Sequence, residues 1–239
     1  MTDAHTHIVR GETRNFICEP FSSEKGGNDV AFYGVHPWDY AKWDGGERLR
    51  TALAADPSAG VGEIGLDRMK DRNIPQAMRD VFASQLEIAA EFKRGVVLHG
   101  AKCWGEVVKA CKPYRDRIPA FLFHGFSRSG GLLPDIEALN GFVSVGPAVL
   151  NDHAVNYREL VKSIPDKMIL VESDATAGNS NEQPSVADIA RKTAEIRGGD
   201  FESFAALIEN NAARFLSLGM DNSRSPDKVN ATMGRLNAT

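Results

Sequence analysis

The chain is poor in cysteine, with three thiols in 239 residues, at positions 18, 103 and 111, and no Cys-x-x-Cys spacing. That excludes a disulfide-stapled scaffold and a cysteine-rich zinc module. Cys103 and Cys111 fall in one predicted helix, where eight residues hold them about 12 Å apart, beyond disulfide reach. Long apolar runs are missing as well. A run such as Gly95-Val96-Val97-Leu98 is far short of the roughly 20 residues that cross a bilayer. There is no excess of positive charge either: 28 Lys and Arg stand against 32 Asp and Glu, a net charge of −4. Coating of nucleic acid by phosphate neutralisation is therefore disfavoured, and only a local contact stays open. The opening Met-Thr-Asp-Ala-His has neither the basic nor the apolar part of a secretory signal. With so few thiols, the expected location is the cytoplasm, where the Asn-Ala-Thr sequons at Asn230 and Asn237 are chance matches.

At 42% hydrophobic and 25% charged residues, the composition is that of a globular chain long enough to bury a core without staples. Short β-rich runs recur, among them Val30–Tyr33, Ala59–Ile64, Val96–His99, Ala120–His124, Phe142–Val145 and Met168–Glu172. Their hydrophobicity is continuous rather than alternating, as in parallel strands buried on both faces. Helical spacing follows most of them, at about 46–55, 75–93, 103–112, 130–139, 155–163, 184–197 and 201–217. An opening strand near Asp3–Ile8 and a weaker one at Asn15–Glu19 bring the strands to eight. This pattern predicts a single TIM-like (β/α)8 barrel over residues 1–220. His7 to Ala31 is too short for two full βα units, so the first helix is expected to be missing or reduced. Residues 221–239 are polar and aperiodic and are expected to form a disordered tail.

Polar residues collect at the strand ends. In Asp3-Ala4-His5-Thr6-His7 the strand period of two points both imidazoles to one side, where two nitrogen ligands can grip one ion. Glu63 ends an apolar strand, a place where a carboxylate is costly to bury unless it is paired or holds a metal. His99 ends Val-Val-Leu-His, His124 ends Phe-Leu-Phe-His, and Asp174 follows Leu-Val-Glu-Ser. Singly, each has a bland reading as a satisfied histidine or a helix cap. In a parallel barrel, however, all six converge on one mouth. Four imidazoles and two carboxylates can hold two ions if one carboxylate bridges them.

Taken together, Asp3–His7, Gly34-Val35-His36-Pro37-Trp38, Gly62-Glu63-Ile64-Gly65-Leu66-Asp67, Leu98-His99, His124–Ser129 and Glu172-Ser173-Asp174 resemble the TatD-like metal-dependent hydrolases of the amidohydrolase superfamily. The likeness runs in order from residue 3 to about 219. It implies that His5, His7 and Asp174 bind one divalent ion, that His99 and His124 bind another, and that Glu63 bridges. The ions could be Zn, Mn, Mg, Fe or Co. Glu63 and Asp174 would then be the catalytic carboxylates, with Asp174 also accepting a proton from the attacking water. His36 would contact a substrate phosphate. Neutral imidazole ligands imply that activity falls as pH drops through about 6.

Departures from the family pattern bear on substrate. Gly100-Ala101-Lys102 stands where the family usually has an arginine two residues after the histidine. Arg128 replaces a small residue, and Thr176 a common proline. Lys102 and Arg128 either meet a phosphate backbone in place of that arginine or are solvated surface charge. Trp38, Trp43 and Trp104 either stack on a base or pack at the core or rim. Asp67 either supports a ligand or caps the next turn, and Glu172 faces the helices or pairs with a base. The leading expectation is a two-metal phosphodiesterase acting on DNA. A hydrolase of a small ester, lactone or amide, and a non-catalytic metal-binding scaffold, are the alternatives.

Overall fold

The computed structural model describes residues 1–11, 14–18, 21, 26–69, 73–127, 130–178 and 184–219. Eight strands form in chain order: β1 (Thr2–Thr6), β2 (Arg14–Ile17), β3 (Val30–Tyr33), β4 (Gly60–Asp67), β5 (Val96–Ala101), β6 (Phe121–Phe123), β7 (Gly141–Val145) and β8 (Ile169–Val171). Each pairs in parallel with the next. Just beyond β8 the ring closes on β1, where Asp174 N–H donates to His5 O at 3.1 Å and His7 N–H donates to Ala175 O at 2.9 Å. The result is the expected barrel.

Seven α-helices lie among the described residues: α1 (Glu47–Ala55), α2 (Gln76–Phe92), α3 (Trp104–Cys111), α4 (Leu133–Glu137), α5 (Val155–Ser163), α6 (Val186–Arg197) and α7 (Phe201–Gly219). None of them falls between β1 and β2 or between β2 and β3. The short spacing from His7 to Ala31 allows no more. Local chemistry sets the helix ends. Ser185 accepts from Asp188 N–H at 3.1 Å to start α6, and Gly198 ends it in the left-handed conformation at φ 72°. Asp200 accepts from Ser203 N–H at 2.9 Å at the start of α7. The helix expected over 130–139 is shorter than its periodicity suggests. A 3-10 turn at Gly130–Leu132 comes first, and α4 begins beside Pro134, because paired glycines are poor helix formers while proline suits a first turn. The tail expected at 221–239 lies outside the described residues.

Two apolar layers result. The larger lies between strands and helices. The smaller fills the barrel interior with Phe16, Phe32, Val97, Leu122, Phe142 and Leu170, joined by Phe215 of α7. The Phe215 ring lies 5.7 Å from Phe16, 6.1 Å from Phe32 and 5.4 Å from Phe142, so α7 forms the floor of the barrel. Side chains alternate along a strand. Val97, Leu122 and Leu170 thus stand two residues before His99, His124 and Glu172, which places a polar layer directly above an apolar one.

Candidate metal centre

Glu63, in the middle of β4 rather than at the expected strand end, is 5% exposed and lies among five imidazoles. Its two oxygens face different groups. Oε1 lies 2.6 Å from His99 Nδ1 and 2.6 Å from His124 Nε2, with His36 Nε2 farther away at 3.6 Å. Oε2 lies 3.4 Å from His5 Nε2 and 3.5 Å from His7 Nε2. Asp174 Oδ1 stands 3.5 Å and 3.8 Å from those same two nitrogens. All six residues expected to ligate metal are therefore brought together. Donor atoms converge closely enough for an ion in three sets: His5, His7 and Asp174; His5, Glu63 and His124; and His36, Glu63 and His99.

Backbone shape makes this gathering possible. Gly65 pairs with His99 across β4 and β5, and a Cβ on it would lie 2.0 Å from His99 O. Only glycine lets the two strands approach so closely there. Asp174 adopts the left-handed conformation at φ 51°, one that aspartate tolerates better than most residues.

The charges follow from burial and neighbours. Burial works against ionised Glu63, but His124 and His5 hold it well below the usual carboxylate range. Burial and His5 disfavour charge on His124, yet Glu63 and Glu172 push it up to about 9. His36 moves the other way, lowered to about 4 by burial, with His99 and His124 adding to that effect against Glu63. Its Nδ1 accepts from Trp38 N–H at 3.1 Å, which leaves Nε2 facing the centre.

A ring of acceptors stands behind the imidazoles. His99 Nε2–H donates to Asp67 Oδ2 at 2.9 Å, and the same oxygen accepts from Trp38 Nε1–H at 2.9 Å. Asp67 also accepts from Met69 N–H, so it both supports a histidine and shapes the next turn. Glu172 is 1% exposed, accepts from Ser144 Oγ–H and lies 3.5 Å from His124 Nδ1. Its sequence reading toward the helices gives way to an inward position. The signal was available: it follows Leu170 by two residues and so shares the interior face. Asp3, which sequence reasoning passed over, accepts from Ser173 N–H at 2.9 Å and Ser173 Oγ–H at 2.5 Å. Burial raises it to about 6 against those hydrogen bonds, and the pair ties β1 to the segment that carries Asp174.

A cleft of about 830 Å³ opens beside the centre, lined at one end by His99, His124 and Asp174 and farther out by Arg68, Met69, Lys102 and Trp104. Lys102 is exposed there. Arg68 shares Glu106 with Arg79. Arg128 lies outside the described residues. Trp104 is 5% exposed and packs on Phe123 and Phe126, Trp43 packs against the outer core, and only Trp38 keeps an exposed ring.

Residues 20–217 match the TatD related DNase family. The chain belongs to that family. TatD relatives include the 3'-5' ssDNA/RNA exonuclease TatD of Dickeya dadantii, 29% identical over 200 residues that make up 78% of this chain and 76% of that protein. An uncharacterized metal-dependent hydrolase of Bacillus subtilis, YabD, is 26% identical over 71% of this chain and 69% of its own. The crystal structure of a TatD homologue from Escherichia coli K12 superposes with a TM-score of 0.75 at 22% identity, covering 88% of this chain and 95% of that one. That likeness establishes the shared barrel. As a TatD protein, the chain is a metal-dependent hydrolase.

Proposed function

We propose that this TatD protein hydrolyses phosphodiester bonds at the end of a nucleic acid, using two divalent cations held by the Glu63 cluster. The observation that carries this reading is the division of Glu63, one oxygen toward His5 and His7 and the other toward His99 and His124. A bridging ligand needs that arrangement. His5 adds support. It is fully buried and neither ring nitrogen has a hydrogen-bond partner, a costly state that an ion would relieve. In this reading His5, His7 and Asp174 would hold one cation, His99 and His124 would hold the other, and Glu63 would be shared between them. Imidazole and carboxylate donors suit Zn, Mn, Fe or Co. Bound there, such ions supply Lewis acidity and a water nucleophile at neutral pH.

The chain's own residues do the rest. His5 and His124 keep the Asp174 carboxylate below its usual range despite burial, so it stands ionised at the cleft and accepts the proton of the attacking water. His36, whose Nε2 stands farther from Glu63 than His99 Nδ1 and His124 Nε2, contacts the substrate phosphate. Lys102, exposed in the cleft, contacts the next phosphate along the strand. Residues 1–220 act as one hydrolase domain. The cysteines, all free and buried, suit a reducing compartment such as the cytoplasm.

The test is metal analysis of the purified protein together with assays on single-stranded DNA, double-stranded DNA and a lactone panel. Two ions per chain with release of nucleotides supports the proposal. Turnover of lactones alone replaces it with the small-ester alternative. Absence of both metal and hydrolysis leaves a scaffold.

A further inference from the structure

Among the described residues Trp38 is the one exposed aromatic side chain, 53% exposed where every phenylalanine and tyrosine is buried or partly buried. It is not loose. Nε1–H donates to Asp67 Oδ2, its backbone N–H donates to His36 Nδ1, and its ring meets the His36 ring edge-on at 5.0 Å. Pro37, buried just before it, begins the 3-10 turn that carries it. Ordering such a rigid ring against a ligand costs little further entropy. Met69 hangs from the same Asp67 through its backbone, is 56% exposed, and lines the cleft that runs to His99, His124 and Asp174. Arg68 and Lys102 line that cleft too. Trp38 is therefore tied through His36 and Asp67 to the edge of the centre, and the cleft beside it carries Met69, Arg68 and Lys102. Unpaired nucleic acid offers base faces for the indole and phosphates for the cations.

We propose that Trp38 stacks on an unpaired nucleobase next to the cleaved linkage and so selects single-stranded ends. This rests on the nuclease reading above. A duplex keeps its bases stacked on one another and cannot present that face without fraying.

The experiment uses short single-stranded oligodeoxynucleotides in which one abasic residue is walked through the terminal nucleotide and the two positions inside the cleaved linkage. Binding to metal-free protein is followed by anisotropy, and kcat and KM are measured on metal-loaded protein. Wild type should prefer the intact strand over the worst abasic one by roughly 5- to 100-fold in both readouts. Trp38→Ala should lose that preference. Trp38→Phe, which keeps a ring but not the donor to Asp67, should retain most of it while shifting kcat through His99. Melting curves check that the variants fold. Equal binding of intact and abasic strands by wild type overturns the proposal. So does a Trp38→Ala variant that keeps the wild-type preference, since the indole would then serve only to hold Asp67. Cleavage without base preference removes the stacking role and leaves the nuclease reading intact. Preferential binding without cleavage does the reverse.

Discussion

The two sides of the Glu63 carboxylate are built differently. On the side of β5 and β6, His99 has Asp67 behind it at 2.9 Å and His124 has Glu172 behind it at 3.5 Å. On the β1 side, neither ring nitrogen of His5 has a hydrogen-bond partner, and the influential neighbour besides the carboxylates is the buried Cys18 thiol. Asp174 on that side has a half-exposed side chain. A carboxylate behind an imidazole fixes its orientation and makes it a more basic ligand. The centre thus pairs a half whose imidazoles are backed by carboxylates with a half in which His5 is not.

The sharpest way to break this contrast is to remove what the halves share. Glu63→Ala should deplete metal from both sides and lower kcat by about 100- to 1,000-fold. Metal analysis showing one ion retained at full occupancy would end the bridging role. Next in size, Asp67→Asn and Glu172→Gln should each weaken one of two metal-binding steps by about 10- to 100-fold and spare the other, as read by chelator competition. Equal weakening of both steps would erase the contrast. Smaller again, Cys18→Ser should alter affinity on the β1 side by less than about tenfold, because the thiol neighbours His5 without fixing either of its nitrogens.

The last effect concerns pH. In metal-free protein His124 titrates at about 9 rather than 6.5, with Glu63 and Glu172 outweighing burial and His5. A histidine whose folded value is raised gives stability that is complete below about 6.5 and is lost as pH rises through about 9. The Tm of chelator-treated protein should therefore fall across that window while metal-loaded protein changes less. A flat Tm in the metal-free sample would show that His124 is not held by those carboxylates.

Much of this was legible before any coordinates. Continuous apolar runs marked the strands because both faces are buried, and the one helix clearly misjudged, at 130–139, failed where paired glycines outweigh periodicity. His5, His7, Glu63, His99, His124 and Asp174 stood out because each lies in or just after an expected strand, although β4 and β5 run on past Glu63 and His99. What lies behind them was harder to see. Asp67 was legible only as a choice between support and cap, and it does both. Glu172 follows the apolar run of β8 directly, but Asp174 two residues on drew the attention, and only the register with Leu170 reveals that it points inward. Asp3 pairs with Ser173 across the whole sequence, a contact that local pattern cannot report. Arg128 remains outside the described residues, and Lys102 reaches the cleft as one of the two expected cations.

The floor supplied by Phe215 and the seam between His5 and Asp174 together set an order of events during biosynthesis. His5 and His7 leave the ribosome first, but the backbone that completes their pocket follows about 170 residues later, and the phenyl ring that seals it from below comes later still. Contacts so distant in sequence form late. A half-made chain therefore carries two of its imidazoles without the cup that gives them a task, and hydrolytic competence arrives only with α7.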